Sequence, residues 1–429
     1  TGSIPVRGGL SEDVALKALT LWPAEMLHLD RAIGSIEPGK DADFVILTGR
    51  PFSVYTLVMQ TYIDGVKVFD RADPAYANYA IGGFALADTA ARPKPAPPQK
   101  PAEKADTPKL DAAAVVPAET HRIAVRAGRV HTATGEPIHD GLVVVENGLI
   151  VYVGKPDGFE IPEGTPILKA AEITPGLIDA HTVVGVSGLF NVPADQDQDE
   201  MSDPNQADAR VLDSFNPGEP LLEFALQHGV TVVQACPGRA NVIAGQAGIF
   251  RTLGKTVDAM TVRFPSGIVL NLGEVPKKSY PGKAPATRMA TAAIIRNALN
   301  SAANYKLKQV AAKDDSPVER NLKHEAIGLL LDKKIPAIFS AHRADDIETS
   351  LRLVREFQLT GVLDLATEGY LVADEIARAK VPVLMHPTMQ RISTPETYNS
   401  TLNNAAILAD HKIPLCVTSS FEGYVPKTR

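Results

Sequence analysis

Cysteine is nearly absent from these 429 residues: only Cys236 and Cys416 occur, far apart and each inside an apolar run. Two thiols so placed rule out a disulfide framework as the organising device and read as small buried hydrophobes. Aromatic residues make up only 6% of the chain, with a single tryptophan. A basic excess is lacking too. The formal net charge is −7, which argues against the positive face that nucleic-acid binding needs. No window approaches the roughly 18 uninterrupted apolar residues of a membrane-spanning helix. What remains is a composition of 45% hydrophobic and 22% charged residues. That is ordinary for an α/β protein, and the length allows a large core and more than one domain. Localisation is left open by these features.

The clearest internal break is ARPKPAPPQKPAEKADTPKLDAAAVVPAET, residues 91–120. Its prolines have no N–H to donate and favour extended backbone, so it reads as a semi-rigid linker without a core. Before it, residues 1–70 are patterned. Ser11, Glu12 and Asp13 supply acceptors and negative charge at a helix start, followed by apolar Val14, Leu16, Ala18, Leu19 and Leu21. Pro23 interrupts or restarts that helix. Pro38-Gly39 marks a turn, residues 44–47 a short buried strand, and TYIDGVKVFD a hairpin folded at Asp64-Gly65. A piece this small scarcely buries its own apolar faces and needs a partner surface.

Beyond the linker, HRIAVRAGRVHT and GLVVVENGLIVYVG are strands, the latter folding back at Asn147-Gly148. From Ile173 onward the apolar runs ITPGLIDA, GVTVVQA, GIFRTL, SGIVLNLG, IPAIFSA, GVLDLA, VPVLM and IPLCVTS alternate with polar helical stretches. Alternation in this number predicts parallel strands closed into a (β/α)8 TIM-type barrel, within an α/β chain carrying a small composite β-sandwich. The expected divisions are 1–70, the 91–120 linker, sandwich strands at 121–172 and a barrel at 173–429. Chemistry in such barrels sits where the strands end.

Three stretches together resemble the amidohydrolase superfamily, and specifically its imidazolonepropionase-like metal-dependent hydrolases. They are ITPGLIDAH, ending on His181; residues 19–47, LTLWPAEMLHLDRAIGSIEPGKDADFVIL; and residues 60–70, QTYIDGVKVFD. The resemblance implies a barrel plus a sandwich assembled from both chain ends. It also implies hydrolysis of C–N bonds, in amides or cyclic amides, by water activated on a divalent metal. DSFNPGEPL, QACPGRANVIAGQAGIFRT and NLGEVPKKSYPGKAPATRM resemble one subgroup of these hydrolases. The order of motifs is inverted, because the family's C-terminal signature precedes its N-terminal one. The simplest expectation is a slice of a tandem protein, with residues 1–70 as the C-terminal tail of one module. In a second reading, a circular permutation, residues 1–70 complete the sandwich of 121–429.

Carried over residue by residue, the resemblance implies a depleted metal centre. The first strand keeps His181, but its companion is Val183; Glu274 matches the bridging carboxylate and His342 the fifth-strand histidine. Leu365 stands where the sixth-strand histidine belongs, and Ser420 where the general-base aspartate belongs, with Glu422 two residues later. His386 is a candidate third ligand. The expected site is thus at most one divalent ion, zinc being the expected metal, held by Glu274 and His342 with His181 or His386. Proton transfer would fall to Glu422 or Ser420, although serine is a poor base near neutral pH without a further activator. Arg343 and Asp345 either contact substrate or fix the start of the next helix. The expected partners are a small-molecule substrate and a second amidohydrolase module or another copy of the chain. The alternative reading is an inactive barrel that supports a catalytic partner module. GQAG at 245–248 reads as a turn, and the acidic stretch 195–203 as a solvated loop over the barrel mouth.

Overall fold

The computed structural model describes residues 3–73, 122–190, 192–312, 318–385 and 394–419. The linker at 91–120 therefore lies outside the described residues. Seven strands form one sheet: β1 (Phe44–Leu47), β2 (Val58–Ile63), β3 (Val66–Asp70), β4 (Arg122–Val130), β5 (Ile138–Glu146), β6 (Leu149–Gly154) and β7 (Ile167–Pro175). Their order is β3-β2-β1-β7-β4-β5-β6. The join is β1 against β7, antiparallel, with Phe44 opposite Pro175 and Leu47 opposite Glu172. The pieces before and after the linker thus contribute to a single sheet.

One face of these strands lines a core to which both pieces contribute. Phe44, Ile46 and Tyr62 from the first piece pack with Ile123, Val125, Val143, Val145 and Ile173 from the second. The Phe44 and Tyr62 rings stack with centroids 4.5 Å apart. Both predicted hairpin turns have the left-handed pairs that tight turns demand: φ is 50° and 72° at Asp64-Gly65, and 50° and 82° at Asn147-Gly148.

The barrel comprises β8 (Leu177–Thr182), β9 (Val230–Ala235), β10 (Ile243–Arg251), β11 (Thr261–Asn271), β12 (Ala337–Ala341), β13 (Gly361–Leu365), β14 (Val383–Met385) and β15 (Leu415–Val417), neighbours in chain order. Three expectations need correction. ITPGLIDA is not one strand: it divides at Pro175-Gly176, where β7 ends in the sheet and β8 begins in the barrel. The strands are not all parallel either, because β10 runs antiparallel to both β9 and β11. Its connections, residues 236–242 and 252–260, are shorter than the dozen or so residues a parallel crossover needs. Finally, GQAG is not a turn but lies inside β10, where a slip in the ladder between Ile243 and Gly245 absorbs a φ of 127° at Gly245.

No ladder joins β15 to β8 among the described residues. The seam is bridged by the first piece. Ser11 caps the helix Glu12–Lys17 by accepting from the Val14 N–H, and a second helix runs Leu21–Met26. The break between them frees two carbonyls. Ala18 accepts from the Val417 N–H of β15 at 3.0 Å, and Leu19 accepts from the Ile178 N–H of β8 at 2.9 Å. Trp22 and Met26 pack against an apolar layer of Val269, Ile338, Val362, Leu384 and Cys416. Arg251 on β10 adds a polar clamp, binding Asp43, Asp41 at 3.1 Å and Asp64 at 2.9 Å. Cys236 and Cys416 are free, buried thiols. No described helix is long and apolar enough to cross a membrane.

Candidate active site at the barrel mouth

Strand periodicity sets what faces the barrel interior. Two residues beyond the apolar layer, Asn271, Ser340 and Asp364 follow Val269, Ile338 and Val362 on the same faces of β11, β12 and β13. All three are fully buried. Asp364 reaches across the barrel to β8, where its Oδ1 lies 3.1 Å from His181 Nδ1. The approach is an ion pair and not an aligned hydrogen bond, since neither atom has a well-directed partner. Asp364 Oδ2 accepts from Ser340 Oγ at 2.8 Å. Burial works against the His181 charge, but the Asp364 carboxylate outweighs it and holds the imidazole well above its ordinary range. Burial likewise pushes Asp364 up, and His181 and Ser340 together bring it below the usual carboxylate value. Immediately after Asp364 the backbone is strained: φ is 75° at Leu365 and 41° at Ala366, a region that β-carbon-bearing residues rarely adopt.

A second polar pair stands beside the first. Arg239, in the loop after β9, places Nη1 2.7 Å from Nε2 of His342, which follows β12. Guanidinium nitrogens only donate, so His342 Nε2 must be the accepting, unprotonated nitrogen. Its Nδ1, 2.7 Å from Thr367 Oγ1, then carries the proton. Burial lowers the Arg239 guanidinium, opposed by the carboxylates of Asp364, Glu396 and Asp199, and arginine keeps its charge throughout the physiological range. The Arg239 loop is anchored on several sides. Asn271 Nδ2 donates to the carbonyls of Gly238 and Asn241 at 3.1 and 2.8 Å, and Asp199 Oδ1 accepts from the Ala240 N–H at 2.8 Å. The Asp199 carboxylate fills the space that a side chain at residue 238 would occupy, which calls for Gly238 there. The acidic stretch over the mouth is thus not wholly solvated, because Asp199 dips inward.

The residues expected to carry the site distribute unevenly. His181 and His342 both lie buried at the mouth. Glu274 opens the short helix Glu274–Ser279 and is ion-paired with Lys278 at 2.5 Å. Its backbone N–H donates to Glu396 Oε1 at 2.7 Å, and Glu396 also binds Arg288 at 2.7 Å. Arg343 and Asp345 pair with each other through two contacts of 3.0 and 2.9 Å on the exposed start of the helix Ala344–Phe357. His386, Ser420 and Glu422 lie outside the described residues. Among the described residues no group of three His, Cys, Asp or Glu side chains is arranged to hold a metal ion. Among the described residues the candidate donors are not set to receive a divalent ion. His181 is committed to Asp364, the His342 lone pair faces a guanidinium, Val183 offers no donor, and Glu274 is engaged by Lys278. A cavity of about 370 Å³ opens elsewhere, beside the seam, lined by Leu16, Leu19, Phe52 and Val417 together with Asp179 and Ser419.

An amidohydrolase from Thermotoga maritima MSB8 shares 32% identity and a TM-score of 0.65 with this chain, over 69% of this chain and 78% of that one. This chain belongs to the amidohydrolase superfamily. The superfamily is one of hydrolases that typically depend on metal. A family model described as amidohydrolase family matches residues 5–69, the piece that completes the sheet. Amidohydrolase tasK of Hapsidospora irregularis is 26% identical over 244 residues, 51% of this chain and 25% of that protein. Imidazolonepropionase of Picrophilus torridus is 37% identical over 68 residues, 14% of this chain and 17% of the enzyme. The chain thus spans a quarter or less of the length of these two curated relatives.

Proposed function

We propose that this chain is a supporting barrel of an amidohydrolase-type assembly and does not itself carry metal-dependent hydrolysis of C–N bonds. The observation behind this reading is the 2.7 Å contact of Arg239 Nη1 with His342 Nε2, which places a permanent cation on the nitrogen a metal would need. In this reading the chain's role is to present a rigid, ion-paired barrel and a composite sheet to a catalytic module of the same superfamily. The test is metal analysis of the purified chain with and without added zinc. The expected result is less than about a tenth of an equivalent bound and no thermal stabilisation by zinc. Stoichiometric zinc, lost in His342→Ala, would replace this reading with the metallohydrolase one.

That second reading has its own support. His181 and His342 stand buried at the ends of the first and fifth barrel strands, where the superfamily resemblance assigns ligands, and His386 and Glu422 would be the further ligand and the proton carrier. In it the chain is a hydrolase of amide or cyclic amide bonds in a small molecule.

A further inference from the structure

The supporting-barrel reading leaves open what replaces the metal's positive charge among buried polar groups. We infer that the Arg239 guanidinium is the resident cation of this barrel mouth, and that it excludes divalent metal ions by occupying the ligating face of His342. The inference deepens that reading and rests on it, since it presumes that the wild-type chain is free of metal.

Three independent features carry it. The guanidinium is directed at the Nε2 lone pair at 2.7 Å, and the other ring nitrogen is engaged by Thr367, so the imidazole has no second face to offer. The loop bearing Arg239 is held by Asn271 from β11 and by Asp199 from the acidic stretch, and Tyr280 hydrogen-bonds the neighbouring Asn241 side chain. Such anchoring fixes the arginine in place. The carboxylates of Asp364, Glu396 and Asp199 surround the guanidinium at Coulombic range, which is the kind of anionic setting that otherwise attracts a divalent ion. A fixed organic cation meets the same electrostatic demand without leaving an open coordination position.

The test is zinc titration by calorimetry of the wild-type chain, Arg239→Gln, Arg239→Lys and the double variant Arg239→Gln/His342→Ala, each checked for folding by its thermal transition. Zinc alone is the probe. Wild type and Arg239→Lys should show no saturable zinc binding, and Arg239→Gln should gain a saturable site at least about tenfold tighter than the weakest binding the titration detects, lost in the double variant. A metal-free wild type with no gain in Arg239→Gln overturns the inference and leaves the supporting-barrel reading standing. Stoichiometric zinc on the wild type overturns both. A measurement on the unaltered chain guards against a misfolded variant: ¹⁵N shifts of the His342 ring should report a proton on Nδ1 and none on Nε2, unchanged by added zinc. A proton on Nε2, or a zinc-induced shift, overturns the inference.

Discussion

The buried contact of His181 with Asp364 has only half of its signal in the family motifs. His181 was legible because it ends ITPGLIDAH, and His342 because it follows a strand-like run. The family correspondence points to Leu365, one residue past Asp364. Strand alternation puts residue 364 on the inner face, and the left-handed backbone at Leu365 turns the chain immediately after it. The available signal was an aspartate inside the apolar run GVLDLA, since an unpaired charge in a buried strand is untenable. Arg239 gave less away, because its partner lies 103 positions further along the chain and only the closed barrel brings them together. Replacing Asp364 by Asn should remove the carboxylate that keeps His181 protonated, so that the buried imidazole turns neutral, and should destabilise the chain by about 1.5–3 kcal/mol. Ser340→Ala, which removes only the hydroxyl donated to Asp364, should cost about 1 kcal/mol. Urea unfolding at neutral pH separates the two. Equal effects from both substitutions would mean that the ion pair is not what stabilises this layer.

Among the elements, most strands are legible from alternation and turn residues, whereas the antiparallel direction of β10 is not marked by either. Only the lengths of its flanking connections, too short for a parallel crossover, carry that information. The clamp at the far side of β10 was also out of reach, because Asp41, Asp43 and Asp64 meet Arg251 only after the sheet has docked on the barrel. Asp43 is pushed up to about 6 by burial, against the pull of Arg251. A carboxyl group with a folded pKa above its unfolded value of about 4 binds its proton more tightly in the folded chain. Its contribution to stability therefore declines as pH rises from about 4 through about 6 and is level above that. Wild type compared with Asp43→Asn should show this slope, with the stability advantage of the wild type shrinking by at most roughly 3 kcal/mol between pH 4.5 and 7. Denaturant unfolding across that range measures it. Parallel pH profiles for the two proteins would show that Asp43 is ionised as freely in the fold as in solution.

At the scale of the whole molecule, the inverted order of motifs is reconciled by β1 pairing with β7 and by Ala18 and Leu19 bridging β8 and β15. The sequence specified both pieces and their need for a partner surface. It could not specify which surface, because a tail docked on its own chain and a tail docked on another module bury similar apolar faces. The contacts here favour docking within the chain. Phe44, Ile46 and Tyr62 enter a core to which β4, β5, β6 and β7 all contribute, and aliphatic or aromatic side chains buried like these contribute about 1.5–3 kcal/mol each. The Arg251 clamp and two backbone hydrogen bonds at the barrel seam add to that. Cutting the chain at a protease site placed between residues 91 and 120 should therefore leave the two pieces associated through gel filtration at micromolar concentration. Ile46→Asp, which puts an unpaired charge into the shared core, should release residues 1–70 once the chain is cut. If the unaltered pieces separate on cleavage, the tail has no adequate surface on this barrel, and its native partner is then a different module.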